Sequence, residues 1–320
     1  MLRRQFLTLS ATSGLLLGFP TLSHSVSRSS LPQGVFKMKT LNNGVQIPML
    51  GLGTWLIDND KVGAAVKSAL DLGYRHIDTA QAYGNEEGIG TAIKNYPIKR
   101  EELFITTKVA AELKDYDSAK KSIDESLQKL QLNYVDLMII HSPQPWKEVN
   151  QSDNRYEKGN IEAYRALEDA MAEKKVRAIG VSNFLIPDLQ NILKNCKTRP
   201  AVNQILAHIG NTPFELIDFC HKNNIAVEAY SPLGHGEILN NPQIKQMAEK
   251  YQVSTAQLAI KYCLQLDLIT LPKTANPKHQ KSNMTLDFII SNADMETLKK
   301  FQPLTDYGEH SFFPVFGGKM

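Results

Sequence analysis

Cysteine is scarce in this chain. There are three among 320 residues, Cys196, Cys220 and Cys263, an odd number with no metal-like spacing. Each lies beside apolar residues in helix-like sequence, so they read as small buried hydrophobes, and nothing suggests a disulfide framework. An excess of one charge is also missing. Lys and Arg total 36 against 33 Asp and Glu, and the net charge of +3 comes without a basic block, which argues against nucleic acid as a partner. No metal-ligand set and no elbow nucleophile stands out, which weakens a reading as a hydrolase. No internal sequence repeat is present, and no domain boundary follows the first 34 residues. With 42% hydrophobic residues, the chain can bury one large core.

The first residues differ from the rest. Arg3 and Arg4 precede Phe6 and an apolar stretch from Leu7 to Phe19, then a Ser-rich segment. A basic start, apolar middle and polar end describe an export signal of twin-arginine type. The stretch falls short of the ~20 residues that span a bilayer. No Ala-x-Ala cleavage site is present, although Ser23-His24-Ser25 offers small residues at the right interval. Residues 1–34 are therefore expected to be export signal and linker, and residues 35–320 the folded body. The expected location is the periplasm; a cytoplasmic protein with a basic leader, or one tethered to the membrane by an uncleaved leader, is the alternative.

From residue 35 onward the pattern is regular. Alternating residues around Asn42-Asn43-Gly44 predict a tight β-hairpin. Short apolar runs then alternate with helix-length amphipathic stretches: Met49–Gly53, His76–Thr79, Leu103–Thr107, Val135–Ile140, Val176–Val181, Ala201–Ile205, Ala226–Tyr230 and Leu268–Leu271. These are eight strand signals, each followed by helical sequence, including Asp60–Leu72, Tyr116–Leu130 and Ile161–Glu173. Parallel strands need crossovers, so such a series predicts an α/β fold, a (β/α)8 TIM barrel, with the hairpin plugging its N-terminal end. Asn292–Lys300 is one helix more than the barrel needs. The tail from Gly308, with Phe312, Phe313 and Phe316, is either a mobile end or a flap over the barrel mouth.

Four residues stand at or just past the ends of separate runs: Asp78, Tyr83, Lys108 and His141. Reactive groups of such barrels collect where strands end. Carbonyl reduction needs a hydride donor and an acid that protonates the oxygen. No side chain donates hydride, so a nicotinamide is required. Tyr83 suits the acid, Lys108 the group that lowers its pKa, Asp78 the partner of Lys108, and His141 the donor that orients the substrate oxygen. Taken singly, each residue reads as an ordinary rim residue; the four complementary types together do not.

Gly73-Tyr-Arg-His-Ile-Asp-Thr-Ala followed by Tyr83-Gly-Asn-Glu-Glu closely resembles the first signature of the aldo-keto reductases. Gly180-Val-Ser-Asn-Phe, Tyr230-Ser-Pro-Leu-Gly and Leu271-Pro-Lys-Thr resemble that family's cofactor motifs, in the expected order. The resemblance runs from about Met38 to about Phe301. It implies a nicotinamide-dependent barrel without a Gly-x-Gly-x-x-Gly fingerprint, and none opens a helix here. The family's catalytic set falls on Asp78, Tyr83, Lys108 and His141. The resemblance further implies that Ser182, Asn183 and Gln204 hold the carboxamide and that Tyr230 stacks on the nicotinamide. Ser231 and Leu233 would cover the pyrophosphate, and Lys273 and Thr274 the 2′-phosphate, with Gly53, Thr54, Asp78, His279 and Asn283 also at the cofactor.

Two departures stand out. An arginine usually follows that Lys by six positions; here it is His279, and Ser282 replaces a common carboxylate three residues later. Losing a bidentate, permanently charged donor weakens phosphate recognition, so NADPH is expected to be preferred over NADH by a reduced margin. The second departure is His141-Ser-Pro-Gln-Pro-Trp, which lacks an aromatic directly after the imidazole. Trp55 and Trp146, with Tyr83 and His141, are the expected substrate walls. The partner is expected to be a small-molecule carbonyl compound and the protein a monomer. The rival reading is a non-catalytic nicotinamide-binding redox sensor or regulatory subunit, against which the intact acid at Tyr83 argues.

Overall fold

The computed structural model describes residues 37–320; the expected leader, and Val35 at the start of the expected hairpin, lie outside them. The first element is an antiparallel hairpin of β1 (Met38–Thr40) and β2 (Gln46–Pro48). Its turn is longer than the tight connection predicted, spanning Leu41 to Val45, with only Gly44 in the left-handed region. Leu41, Ile47 and Met49 pack with Phe104, Leu137, Ile139 and Val202, so the hairpin does plug the bottom of the sheet.

Eight parallel strands follow: β3 (Leu52–Gly53), β4 (His76–Asp78), β5 (Phe104–Val109), β6 (Val135–Ile140), β7 (Val176–Ser182), β8 (Val202–Leu206), β9 (Ala226–Tyr230) and β10 (Ile269–Leu271). Each pairs with the next. Gly51 N–H donates to the Thr270 carbonyl at 3.0 Å and Gly53 N–H to that of Pro272 at 3.1 Å, and these bonds close the barrel. Parallel strands buried on both faces should be apolar nearly throughout. In β5 and β6 every residue is indeed buried, but Lys108 is among them.

The intervening helices are α1 (Asn59–Leu72), α2 (Glu86–Lys94), α3 (Tyr116–Leu130), α4 (Glu157–Ala172), α5 (Ile186–Asn195), α6 (Phe214–Lys222), a short α7 (Glu237–Asn240), α8 (Pro242–Lys250), α9 (Thr255–Gln265) and α10 (Pro277–Met284). The extra helix predicted near the end is α11 (Asn292–Lys299). Apolar stripes of these helices pack on outward strand residues such as Ile77, Ile105, Met138 and Val227. Helix α4 starts four residues before the predicted Ile161, because the turn at Tyr156 (φ 53°) sets its start before apolar periodicity begins. Gly159 in that first turn allows close approach to Lys114, whose carbonyl would lie 2.7 Å from a Cβ there.

The tail is a flap. Asn150 donates to the carbonyls of Pro314 (2.8 Å) and Gly318 (3.0 Å), and Gln151 to that of Met320 (3.0 Å). The segment thus lies across the C-terminal mouth.

Candidate active site

The barrel mouth holds a cavity of about 800 Å³. Every residue singled out for catalysis, cofactor or substrate lines it except Lys108. Lys108 is completely buried behind the wall, and its ammonium donates to Asp78 Oδ2 and to the Thr79 carbonyl, both at 2.7 Å. An unpaired ammonium at that depth would cost several kcal/mol (order of magnitude), which the carboxylate partner offsets.

Local sequence explains how Tyr83 arrives beside this pair. A 3₁₀ turn, Gln81–Tyr83, follows β4 and ends at Gly84 in the left-handed region (φ 66°). Gln81 anchors the turn: its amide donates to the Ser122 carbonyl and Ser126 Oγ, both at 2.9 Å, and accepts from Ala110 N–H at 2.9 Å. Buried Asn85 ties it to the segment that follows β3, donating to the carbonyls of Thr54 (2.9 Å) and Ile57 (3.0 Å) while accepting from Thr79 Oγ1 (2.6 Å). Lys108 Nζ then sits 4.8 Å from the Tyr83 ring centroid. The His141 ring, just past β6, meets Tyr83 edge-on with centroids 5.6 Å apart.

The electrostatics correct one expectation. Lys108 was expected to lower the Tyr83 pKa, yet burial, with the Asp78 carboxylate adding to it, holds the phenol well above its ordinary value of 10. Asp78 offsets the ammonium it pairs with, and the cost of desolvating a phenolate remains. Tyr83 is therefore a neutral O–H donor. His141 is held well below its ordinary value by burial and by the Lys108 and Lys114 charges, so its imidazole is neutral. Its Nδ1 has no hydrogen-bond partner among the described residues.

The neighbouring strand ends turn sharply. Asn183 and Ser231, just past β7 and β9, adopt left-handed φ of 61° and 48°; such strain in non-glycine residues collects at functional sites. Asn183 accepts from the Tyr230 hydroxyl at 2.6 Å and donates to the His141 carbonyl at 3.0 Å. Ser182 Oγ donates to the Gln204 carbonyl at 2.9 Å. At the far end of the cavity lie Lys273 and Thr274, just before α10, and His279 and Asn283 within it.

The substrate side is aromatic. Trp146 packs edge-on against His141 (5.1 Å) and Trp55 against Phe313 of the tail (4.9 Å). The sequence reading missed His235, Leu239, His310, Pro314, Val315 and Met320, which also line the cavity. Only the Gly234-His-Gly sequence hinted at an irregular loop there. It missed Lys114 as well, whose half-buried amine donates to the Ser142 carbonyl (2.7 Å) and Asn160 Oδ1 (2.9 Å), and whose pKa burial lowers to about 7.

Among known proteins, the model of the Aldo/keto reductase family matches residues 49–302. Glyoxal reductase of Bacillus subtilis is 38% identical over 270 residues, covering 84% of this chain and 94% of that protein. A crystal structure of an aldo/keto reductase from Brucella melitensis superposes with a TM-score of 0.77 at 40% identity, covering 83% of this chain and 97% of that one. A crystal structure of an aldo-keto reductase complexed with NADPH gives a TM-score of 0.77 at 32% identity, covering 86% of this chain and 90% of that one. The chain belongs to the aldo/keto reductase family.

Proposed function

We propose that this protein reduces an aldehyde or ketone to the alcohol with NADPH, Tyr83 delivering the proton. One observation carries the reading. A neutral phenol and a neutral imidazole converge on the floor of a single cavity, beside a buried Asp78–Lys108 pair.

The cavity fits a dinucleotide at both ends. One end presents Tyr230, Ser182, Asn183 and Gln204, an aromatic face among amide groups; the other presents the exposed Lys273 ammonium beside the Thr274 hydroxyl. Gly53 opens the wall between them, where a Cβ would meet the Leu271 carbonyl at 3.2 Å. Tyr230, Ser182, Asn183 and Gln204 would hold the nicotinamide, Ser231 and Leu233 the pyrophosphate, and Lys273 and Thr274 the 2′-phosphate. When bound, the reduced nicotinamide supplies the hydride that no side chain can.

The chain's own groups do the rest. His141 and Tyr83 direct hydrogen bonds at the carbonyl oxygen, where negative charge develops. Tyr83 transfers its hydroxyl proton to that oxygen. Lys108 then lies close enough to stabilise the phenolate, and Asp78 holds Lys108 in place. Trp55, Trp146 and Phe313 exclude water around an uncharged, apolar substituent, and among the described residues no arginine lines the cavity to meet an anion. His279 leaves recognition of the 2′-phosphate mainly to Lys273, which supports a reduced preference for NADPH over NADH.

The paired arginines and apolar stretch at residues 3–19 support export to the periplasm by a twin-arginine route. The intact phenol argues against a pure redox sensor, which has no use for an acid. The test is NADPH consumption by the purified protein against a panel of aromatic, aliphatic and anionic aldehydes and ketones. Turnover of the apolar members is expected; binding of NADPH with no turnover of any member would favour the sensor. Cell fractionation with N-terminal sequencing of the mature protein checks the location.

A further inference from the structure

Directly beneath the site lies a buried acid that the mechanism above does not use. Glu228, in the middle of β9, is fully buried, as is His76 in β4. His76 Nε2 lies 3.8 Å from Glu228 Oε1, too far for a hydrogen bond, and 3.1 Å from Thr106 Oγ1. Glu228 Oε1 has no hydrogen-bond partner among the described residues. The other oxygen, Oε2, accepts from Gln204 Nε2 at 2.9 Å. The same amide nitrogen donates to Asp78 Oδ1 at 2.8 Å. Both N–H groups of Gln204 are thus turned to carboxyl oxygens, and its Oε1 makes no hydrogen bond to the described residues. Gly51 leaves room for the neighbouring His76 ring: a Cβ there would lie 2.7 Å from His76 Nδ1.

Burying a carboxyl group in a layer an aliphatic side chain can fill costs free energy, unless the acid is held neutral or hydrogen-bonded. Both apply here. Burial and the nearby Asp78 charge push Glu228 up to about 8, so it is neutral at neutral pH, and burial pushes His76 down to about 3. One negative charge, on Asp78, therefore remains for Lys108.

We infer that Glu228 is a positioning residue of the nicotinamide end: by accepting from Gln204 Nε2 it locks the amide so that Gln204 Oε1 is left for an N–H of the bound carboxamide. This rests on the nicotinamide reading of the cavity. A side chain amide has two nearly isosteric orientations, and its partners decide between them. With Glu228 replaced by an apolar residue, one of the two acceptors is lost and the amide is free to turn its NH₂ toward the carboxamide.

The test uses the full chain and two ligands measured by fluorescence titration, NADPH and 2′,5′-ADP, which lacks the nicotinamide. Glu228→Leu is expected to weaken NADPH by about tenfold, the worth of one well-placed hydrogen bond, while 2′,5′-ADP stays within about twofold. Glu228→Gln, which keeps an acceptor, should restore NADPH binding. In a Gln204→Met background, Glu228→Leu should cost nothing further. Should the leucine variant not fold, Glu228→Thr, smaller and β-branched, makes the same removal. Unchanged NADPH affinity, equal losses for both ligands, or additive losses in the double variant would each overturn the inference. A wild-type protein that binds 2′,5′-ADP and NADPH equally well would instead overturn the nicotinamide reading itself, and this inference with it.

Discussion

Strand β5 faces the barrel interior with Phe104, then Thr106, then Lys108, and the change along that one strand is repeated around the bore. In the lower part, Met49, Phe104, Leu137, Val202, Ala226 and Ile269 pack together with the hairpin. Higher up, buried positions hold His76, Asp78, Thr106, Lys108, Gln204 and Glu228. The lower bore stabilises the fold by removing apolar area from water. The upper bore works against that tendency, burying one ion pair and several neutral polar groups so that a phenol and an imidazole stand in place. Stability and chemistry thus occupy successive layers of the same strands.

The sharpest way to test this division is at the acid. Tyr83→Phe should lower kcat by about 10²–10⁴-fold, the usual contribution of a positioned general acid. NADPH affinity, measured by fluorescence titration, should barely move. Retained turnover would remove Tyr83 from the mechanism.

Next come paired substitutions in the two layers, followed by urea unfolding and steady-state kinetics. Lys108→Met strands Asp78 and should cost about 3–5 kcal/mol as well as activity. Leu137→Ala should cost about 2–5 kcal/mol and leave kcat essentially intact. If Leu137→Ala damaged kcat as much as Lys108→Met, the layers would not be separable.

The upper bore should also make the protein acid-sensitive. Burial lowers His76 to about 3 and both His208 and His235 to about 4, and holds His141 well below its ordinary value. The unfolded chain therefore takes up four protons below about pH 6.5 that the folded chain does not. Glu228, raised to about 8, has the opposite sign, its contribution being full below about pH 4.5 and lost as the pH rises through 8. Between about pH 6 and 5 the balance is about three protons, so stability should fall by roughly 4 kcal/mol per pH unit on acidification. Urea midpoints across that range check it; a flat profile would mean that these imidazoles titrate normally.

The smallest effect is expected at the exposed rim. His279→Arg should raise the NADPH over NADH preference, up to about fivefold given the modest worth of exposed charge pairs. The ratio of kcat/KM for the two cofactors measures it. No change would mean that residue 279 does not reach the phosphate.

Much of this was legible in the residues. The strand ends carrying Asp78, Lys108 and His141 announced themselves because polar groups broke apolar runs, and Tyr83 because it follows one of those runs and opens Tyr83-Gly-Asn-Glu-Glu. Two kinds of information were not. The Tyr83 pKa depends on how completely Asp78 offsets Lys108 at depth, which is a property of distances and burial. The role of Glu228 was hidden because an acid inside Ala226–Tyr230 reads as one polar interruption of a strand; the register of β8 against β9 sets it beside Gln204, and only closure of the barrel brings His76 near it. The tail's position was equally open, since Phe312 to Phe316 sit among Gly and Pro with no periodicity, and the amides that hold it, Asn150 and Gln151, lie far away in the chain.

That grip has a practical side. Gln151 holds the Met320 carbonyl, and Met320 itself lines the cavity. An affinity tag fused after Met320 would begin at the lip of the substrate entrance and compete with incoming carbonyl compounds. The hairpin at Met38–Pro48 lies at the opposite end of the barrel, so purification handles belong on that side of the molecule.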